Sequence, residues 1–418
     1  MWNLDEVKNK SEHCLNCKAR PCTNGCPLGN TIPDFIKCIK EERYKDAYEV
    51  LNKTTVLESI CGRVCPHDKQ CQGNCVRGIM GTPVSIGELE AFIGDMAIEN
   101  GWKIAKENIE KNDKKIAIVG SGPCGLTCAA FLARKGFNVT IYEKHEMLGG
   151  LLRYCIPEFR LDKSILDKQI NRILELGIEA ICGKELGIDF SIEDLQEKYD
   201  AVFLAFGANI SRKMNVPGED LNGVYGGNEL LEKGNHPDYT GKRVAIIGGG
   251  NVAMDVSRTI KRLGADKVYV VYRRAEEQMP AERKEIEDAK NEDIEFLFQN
   301  NLVKINGQDT VKSIECVKTE LVQREDSDRL VPVDIKDSNF TLDIDYVVMA
   351  LGAEADSIVT SKLNIKLNNW GYICVDKNYM TSIPNVFAGG DLIENKPTVA
   401  WAARSGRDVA EAIVRFFE

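Results

Sequence analysis

Eight of the nine cysteines among the first 75 residues stand in two tight groups, and thiolates at such short spacing could hold iron. Cys14, Cys17, Cys22 and Cys26 run C-x2-C-x4-C-x3-C-P, and Cys61, Cys65, Cys71 and Cys75 run C-x3-C-x5-C-x3-C. Two glycine-rich loops follow. Gly120, Gly122 and Gly125 fit G-x-G-x-x-G, with Pro123 inside the motif; Gly248, Gly250 and Ala253 fit G-x-G-x-x-A, with Asn251 and Val252 between them. In such loops one glycine makes a tight turn, one lets a pyrophosphate approach, and the last packs helix on strand. Sulfur-held clusters upstream of dinucleotide loops imply one-electron traffic to or from a nicotinamide.

What stands after each loop distinguishes the nucleotides. The strand after the first loop ends in Glu143 and Lys144, and a carboxylate there can accept both ribose hydroxyls of an adenosine. Near the C-terminus, Gly390-Asp391 closes a strand, and Thr398-Val399 opens a helix. An aspartate after a strand can hold a ribityl hydroxyl, and a helix N-terminus stabilises the negative charge of a reduced flavin. The early loop and the late Gly-Asp together imply FAD. The strand after the second loop carries Arg273 and Arg274 where an NAD site would place an acid. Two guanidinium groups suit a 2′-phosphate and predict NADPH.

The elements that must position these residues change character along the chain. Residues 1–112 read as a helical, loop-rich domain. One helix opens at Thr31-Ile-Pro-Asp and keeps Phe35, Ile36 and Ile39 on one face. Another opens at Ser85-Ile-Gly-Glu88, a predicted capping box, and carries Leu89, Phe92, Ile93, Met96 and Ala97. The charged stretch from Lys103 to Lys115 reads as a linker. Alternating strands and helices follow, and the strand–glycine turn–helix–strand unit occurs twice, an internal βαβ repeat.

Composition narrows the function class. The formal charge of −10 argues against nucleic-acid or anionic-membrane binding. The N-terminus lacks a basic n-region and an apolar h-region, and no apolar run is long enough to span a bilayer. The expected compartment is the cytoplasm, where fifteen cysteines are metal ligands or free thiols rather than disulfides. His13, His67, His145 and His236 form no triad with a nucleophile, so no catalytic residue is assigned.

At these residues the chain resembles the small (β) subunit of glutamate synthase and its relatives, among them the N-terminal half of dihydropyrimidine dehydrogenase and the large subunit of NADH-dependent ferredoxin:NADP oxidoreductase. The likeness rests on Cys26-Pro-Leu-Gly-Asn-Thr-Ile-Pro33, Cys61-Gly-Arg-Val-Cys-Pro66, Met147-Leu-Gly-Gly150-Leu151-Leu-Arg-Tyr154, Ile156-Pro-Glu-Phe-Arg160, Val271-Tyr-Arg-Arg274, Met279-Pro-Ala281 and Gly389-Gly-Asp391. The resemblance implies an α/β fold: an N-terminal α-helical domain with two [4Fe-4S] clusters (1–112), an FAD domain (113–238 and 343–418), and an NADPH domain (239–342) inserted in it. It also implies a ligand set: Cys14, Cys17, Cys22 and Cys75 for one cluster, and Cys26, Cys65, Cys71 and Glu90 for the other. Cys61 would then be a spare thiol, against its place in the sequence grouping. Cys155 stands where relatives often carry glycine, and reads as a packed small residue.

The expected activity is electron transfer from NADPH through FAD to the clusters and on to a partner. That partner is an FMN-containing synthase subunit or a ferredoxin-linked flavoprotein. Three other readings are the large subunit of a ferredoxin:NADP transhydrogenase, a stand-alone NADPH oxidoreductase with a small-molecule acceptor, and a nucleotide-sensing scaffold.

Overall fold

The computed structural model describes residues 2–106, 112–324 and 327–418; residues 107–111 of the predicted linker lie outside them. Six helices come first: α1 (Leu4–Glu12), α2 (Pro21–Gly25), α3 (Ile32–Lys40), α4 (Tyr44–Leu51), α5 (Glu58–Val64) and α6 (Ile86–Glu99). Phe35, Ile36, Ile39, Tyr48, Leu51, Leu89, Phe92 and Ile93 pack together in their core. Each such side chain contributes about 1.5–3 kcal/mol when fully buried. Two helix starts differ from the predicted chemistry. Thr31 and Ser85 occupy the N-cap positions of α3 and α6, but neither side chain caps the helix. Glu88 does not complete a capping box; its carboxylate pairs with Lys10 of α1 at 2.5 Å. A tertiary ion pair has taken the acid that a local motif would have used.

Helices α5 and α6 meet without side chains at two points. A Cβ on Gly62 would lie 2.4 Å from the Ala91 nitrogen, and one on Gly94 would lie 2.4 Å from the Ser59 nitrogen. Only glycine permits this approach.

The next elements are β1 (Lys115–Val119), α7 (Pro123–Arg134), β2 (Asn138–Tyr142), α8 (Leu151–Tyr154), α9 (Lys163–Leu174), β3 (Glu179–Ile181), α10 (Ile192–Gln196) and β4 (Ala201–Leu204). A second series follows: β5 (Ile210–Ser211), β6 (Val224–Gly226), α11 (Gly227–Lys233), β7 (Arg243–Ile247), α12 (Asn251–Arg262), β8 (Lys267–Tyr272), α13 (Arg283–Asn291) and β9 (Glu295–Phe298). It ends with β10 (Asn300–Gly307), β11 (Val311–Arg324), β12 (Ser327–Asp334), β13 (Phe340–Asp343), β14 (Tyr346–Met349) and β15 (Ala353–Glu354). The chain closes with α14 (Ser357–Lys362), β16 (Val386–Ala388) and α15 (Val399–Phe417).

Two parallel sheets result, in the orders β16-β4-β1-β2-β3 and β6-β14-β7-β8-β9. In each, the strand that precedes a glycine loop sits in the middle, and the chain winds first to one side and then to the other. Ligands of such sheets bind at that switch point, beyond the carboxyl ends of the strands. Contacts divide the chain into two compact units, Met1–Ala208 with Ala355–Glu418, and Asn209–Glu354. Pairing explains the limits of the second: β5 bonds to β15, and β6 and β14 complete the sheet of β7. No helix among the described residues is long and apolar enough to cross a membrane.

Candidate functional site

The first glycine loop joins β1 to α7. Gly120 has φ +105°, and a Cβ there would sit 2.6 Å from the Ala205 carbonyl oxygen; a Cβ on Gly125 would sit 2.0 Å from the Gly120 oxygen. Those two positions are closed by the protein itself. A Cβ on Gly122, the N-cap residue of α7, would meet nothing within 4 Å, so this is the face left open over the helix N-terminus. Pro123 follows at the first helical position. Gly150, the N-cap residue of α8 before Leu151, lies against Gly122: its Cβ would fall 2.9 Å from the Gly122 Cα.

Glu143 is buried just beyond β2, and three of its roughly four acceptor positions are already used. Oε2 accepts from the Ser121 amide (3.1 Å) and the Ser121 hydroxyl (2.5 Å), and Oε1 accepts from the His145 amide (3.0 Å). Capacity remains for one further donor where the sequence suggested two ribose hydroxyls. Lys144 beside it is exposed. Motif reading passes over Ser121, although its place between Gly120 and Gly122 is the available signal.

Asp391 follows β16. Its Oδ1 is buried with no hydrogen-bond partner among the described residues, and burial pushes the carboxyl up to about 6. An orphaned buried acceptor is costly and suits a hydroxyl-bearing ligand such as a ribityl chain. The Gly390 amide is held by Ser405 Oγ at 2.9 Å, and Thr398 caps α15 by accepting from the Trp401 amide at 3.4 Å, ahead of Val399.

The cysteines regroup in space. Cys14, Cys17, Cys22 and Cys75 line one cavity, together with Pro21, Ile32, Ile36 and Val84. Cys75 thus joins three thiols of the other sequence group. Burial pushes the Cys22 thiol up to about 11. In a second group Cys65, Cys71 and Glu90 are buried and Cys26 is half-buried, and each of the three thiols is close enough to Glu90 for its charge to push the thiol up. Cys26 is pushed up to about 12 by burial first, and Glu90 to about 8 by burial and then by Glu58. Asn30 donates to Glu90 Oε1 at 3.1 Å. Helix α6 therefore turns Glu90 into the interior rather than to the surface. Cys61 is 1% exposed and hydrogen-bonds Cys65 in the same group. Burial raises the Cys26 and Cys71 thiols, and the Cys61 contact and burial raise Cys65, so these three stay protonated unless a cationic centre takes up their charge, which is the condition an iron–sulfur core meets. Cys155 is buried at the end of α8.

The second loop repeats the plan of the first. Gly248 has φ +140°, and its Cβ would lie 2.2 Å from the Ala350 oxygen; at Gly250, the N-cap residue of α12, the nearest atom would be Pro280 Cγ at 3.9 Å. Asn251 accepts from the Glu282 amide at 3.0 Å, Val252 is half-buried, and Ala253 is fully buried. The two arginines divide. Arg273 is exposed, whereas Arg274 donates to the Leu330 carbonyl at 3.0 Å and keeps a buried Nε without an acceptor among the described residues.

Comparison with known proteins identifies the family of each part of the chain. Residues 114–406 match the pyridine nucleotide-disulphide oxidoreductase family, and residues 2–102 match dihydropyrimidine dehydrogenase domain II, 4Fe-4S cluster. The glutamate synthase [NADPH] small chain of Escherichia coli (strain K12) is 34% identical over 433 residues, covering 99% of this chain and 92% of the relative. The chain belongs to the glutamate synthase small chain family. Another relative in that family, from Azospirillum brasilense, is 33% identical over 98% of this chain and 89% of its own length. The NADP(+)-dependent formate dehydrogenase subunit beta of Moorella thermoacetica is 36% identical over 95% of this chain, which spans 60% of that relative. FprA from Mycobacterium tuberculosis in complex with NADPH shares the fold (TM-score 0.65, 21% identity, 73% of this chain and 85% of that one). So does thioredoxin reductase of T. acidophilum (TM-score 0.54, 21% identity, 73% and 99%). As a glutamate synthase small chain homologue, the protein is an NAD(P)H-dependent oxidoreductase that combines a 4Fe-4S cluster domain with an FAD/NAD(P)-binding domain.

Proposed function

We propose that this chain takes electrons from NADPH and delivers them, by way of FAD and two [4Fe-4S] clusters, to an electron-accepting partner subunit in a glutamate-synthase-type assembly. The observation that carries the reading is the convergence of Cys14, Cys17, Cys22 and Cys75 on one cavity, with Cys26, Cys65, Cys71 and Glu90 gathered in a second group. Flavin, when bound, supplies the exchange between two-electron and one-electron chemistry. The residues supply binding and orientation. Gly122 leaves room for a pyrophosphate at the α7 N-terminus, where free amides favour an anion, and Gly150 packs closely against Gly122. Glu143 would accept a ribose hydroxyl and Asp391 a ribityl hydroxyl, and the α15 N-terminus at Thr398 and Val399 would favour the negative charge of a reduced flavin. Gly250, Asn251 and Val252 open the N-terminus of α12 to the NADPH pyrophosphate, and Arg273 takes the 2′-phosphate.

Zinc is the competing occupant of the thiols. It would need four ligands converging to about 2.3 Å from one point. Among the described residues no three His, Cys, Asp or Glu side chains are placed to hold one metal ion.

Anaerobic purification tests the proposal. The protein should be brown, carry FAD, iron and inorganic sulfide, and have its flavin bleached rapidly by NADPH. A colourless protein without sulfide would end it. Anaerobic pull-down and mass spectrometry then identify the partner: a large FMN-bearing subunit supports the synthase assembly, and a ferredoxin-linked flavoprotein supports a transhydrogenase.

A further inference from the structure

Helix α15 is tied at once to the candidate flavin site and to the second cysteine group. Its N-cap residue Thr398 accepts a hydrogen bond from Gln70 Nε2 at 3.3 Å, and Gln70 immediately precedes Cys71. Farther along the helix, Arg404 donates to the Pro27 carbonyl at 3.0 Å. Arg407 donates to the carbonyls of Leu28 (2.8 Å) and Thr54 (3.0 Å). Pro27 and Leu28 directly follow Cys26. Two loops that carry thiols of the second group therefore hang from one helix.

The same helix is fixed to the flavin loops. Ser405 Oγ accepts from the Gly390 amide at 2.9 Å, next to Asp391. A Cβ on Gly406 would fall 2.1 Å from the Cys124 carbonyl oxygen, so α15 and α7 touch backbone to backbone. Gln70 is only 8% exposed and the Arg407 side chain 14%, so these donors are held rather than solvated. The two arginines reach main-chain carbonyls, which fix loop position without reading side-chain identity, whereas Gln70 reaches the Thr398 hydroxyl.

We infer that Gln70, Arg404 and Arg407 are positioning residues: they hold the Cys26 and Cys71 loops against α15 and thereby set the separation between the second cluster and the flavin. The inference rests on the cofactors proposed above. The step it serves moves one electron from reduced flavin to an oxidised cluster, with NADPH as the source; no protein bond forms or breaks.

The test uses holoprotein purified without oxygen, with iron and FAD quantified for each variant. In Gln70→Leu and Arg407→Met, NADPH should bleach the flavin at the wild-type rate. The subsequent flavin-to-cluster transfer, followed by stopped-flow absorbance, should slow severalfold, because electron tunnelling falls off exponentially with distance. The electron paramagnetic resonance lines of the reduced second cluster should shift, and Arg407→Lys should restore most of both. Gln70→Leu removes a single hydrogen bond and carries the test if Arg407→Met does not fold. Fully loaded variants with wild-type transfer rates and spectra would overturn the inference. Wild-type protein without flavin or iron would instead overturn the proposed function.

Discussion

The Ser121 hydroxyl bridges the first glycine loop to the end of β2: it donates to Glu143 Oε2 at 2.5 Å and accepts from the Gly149 amide at 2.9 Å. One side chain thus joins the loop after β1, the carboxylate after β2 and the glycine pair before α8. Ser121→Ala leaves a buried carboxylate short of a donor and a buried amide without its acceptor. The expected cost is about 1–3 kcal/mol of stability, with weaker FAD binding. Denaturant unfolding and flavin-fluorescence titration measure both; no change in either contradicts the bridging role.

Asp391 makes stability depend on pH in a direction that can be worked out. Its folded value, about 6, lies above the ordinary aspartate value, so the native state binds the proton more readily than the unfolded chain. Flavin-free protein should therefore lose stability as pH rises from about 4 to about 6, and bear the full cost of an ionised buried carboxylate above that. Asp391→Asn should flatten this window and stabilise flavin-free protein at pH 7 by on the order of 2 kcal/mol, while weakening FAD binding. Thermal melts across pH, with and without FAD, check the pair of effects. Equal slopes in wild type and variant would refute the assignment.

Single substitutions in the cysteine groups should sort by space rather than by sequence. Cys14→Ala and Cys75→Ala should abolish the same paramagnetic signal and release about half the iron. Glu90→Ala should remove the other signal. Cys61→Ala should leave both, although Cys61 sits beside Cys65. Loss of iron in Cys61→Ala together with full iron in Glu90→Ala would exchange their roles.

The unequal surroundings of the two arginines predict unequal phenotypes. Arg273→Ala should lower kcat/KM for NADPH by about tenfold to a hundredfold, the equivalent of about 1.5–3 kcal/mol for a charge-assisted contact, with little effect on NADH. Arg274→Ala should act mainly through stability, because it breaks the bond to Leu330. Steady-state kinetics with both nucleotides decides; identical NADPH-to-NADH ratios in wild type and Arg273→Ala would remove Arg273 from the phosphate site.

Much of the fold was legible because its signals are local. A buried strand, a glycine turn and a helix occupy consecutive residues, so β1 to α7 and β7 to α12 could be read from spacing alone. Helix caps were less legible. Ser85 and Glu88 satisfy the capping pattern, yet Lys10, far away in the chain, competes for the same carboxylate and wins. Nothing in the sequence marks Gln70, since a glutamine beside a cysteine has no local signature.

By itself the sequence determined that thiol groups precede two nucleotide loops, because periodicity, glycine spacing and terminal charges act over a few residues. Spacing alone did not show, though the resemblance implied, that Cys75 groups with Cys14, Cys17 and Cys22; only the tertiary structure decided that β14 lies beside β7 and that Glu143 spends most of its acceptors on the protein. Those facts depend on which surfaces meet when distant segments bury their apolar faces, and that choice is made by packing across the whole chain rather than within any window of it.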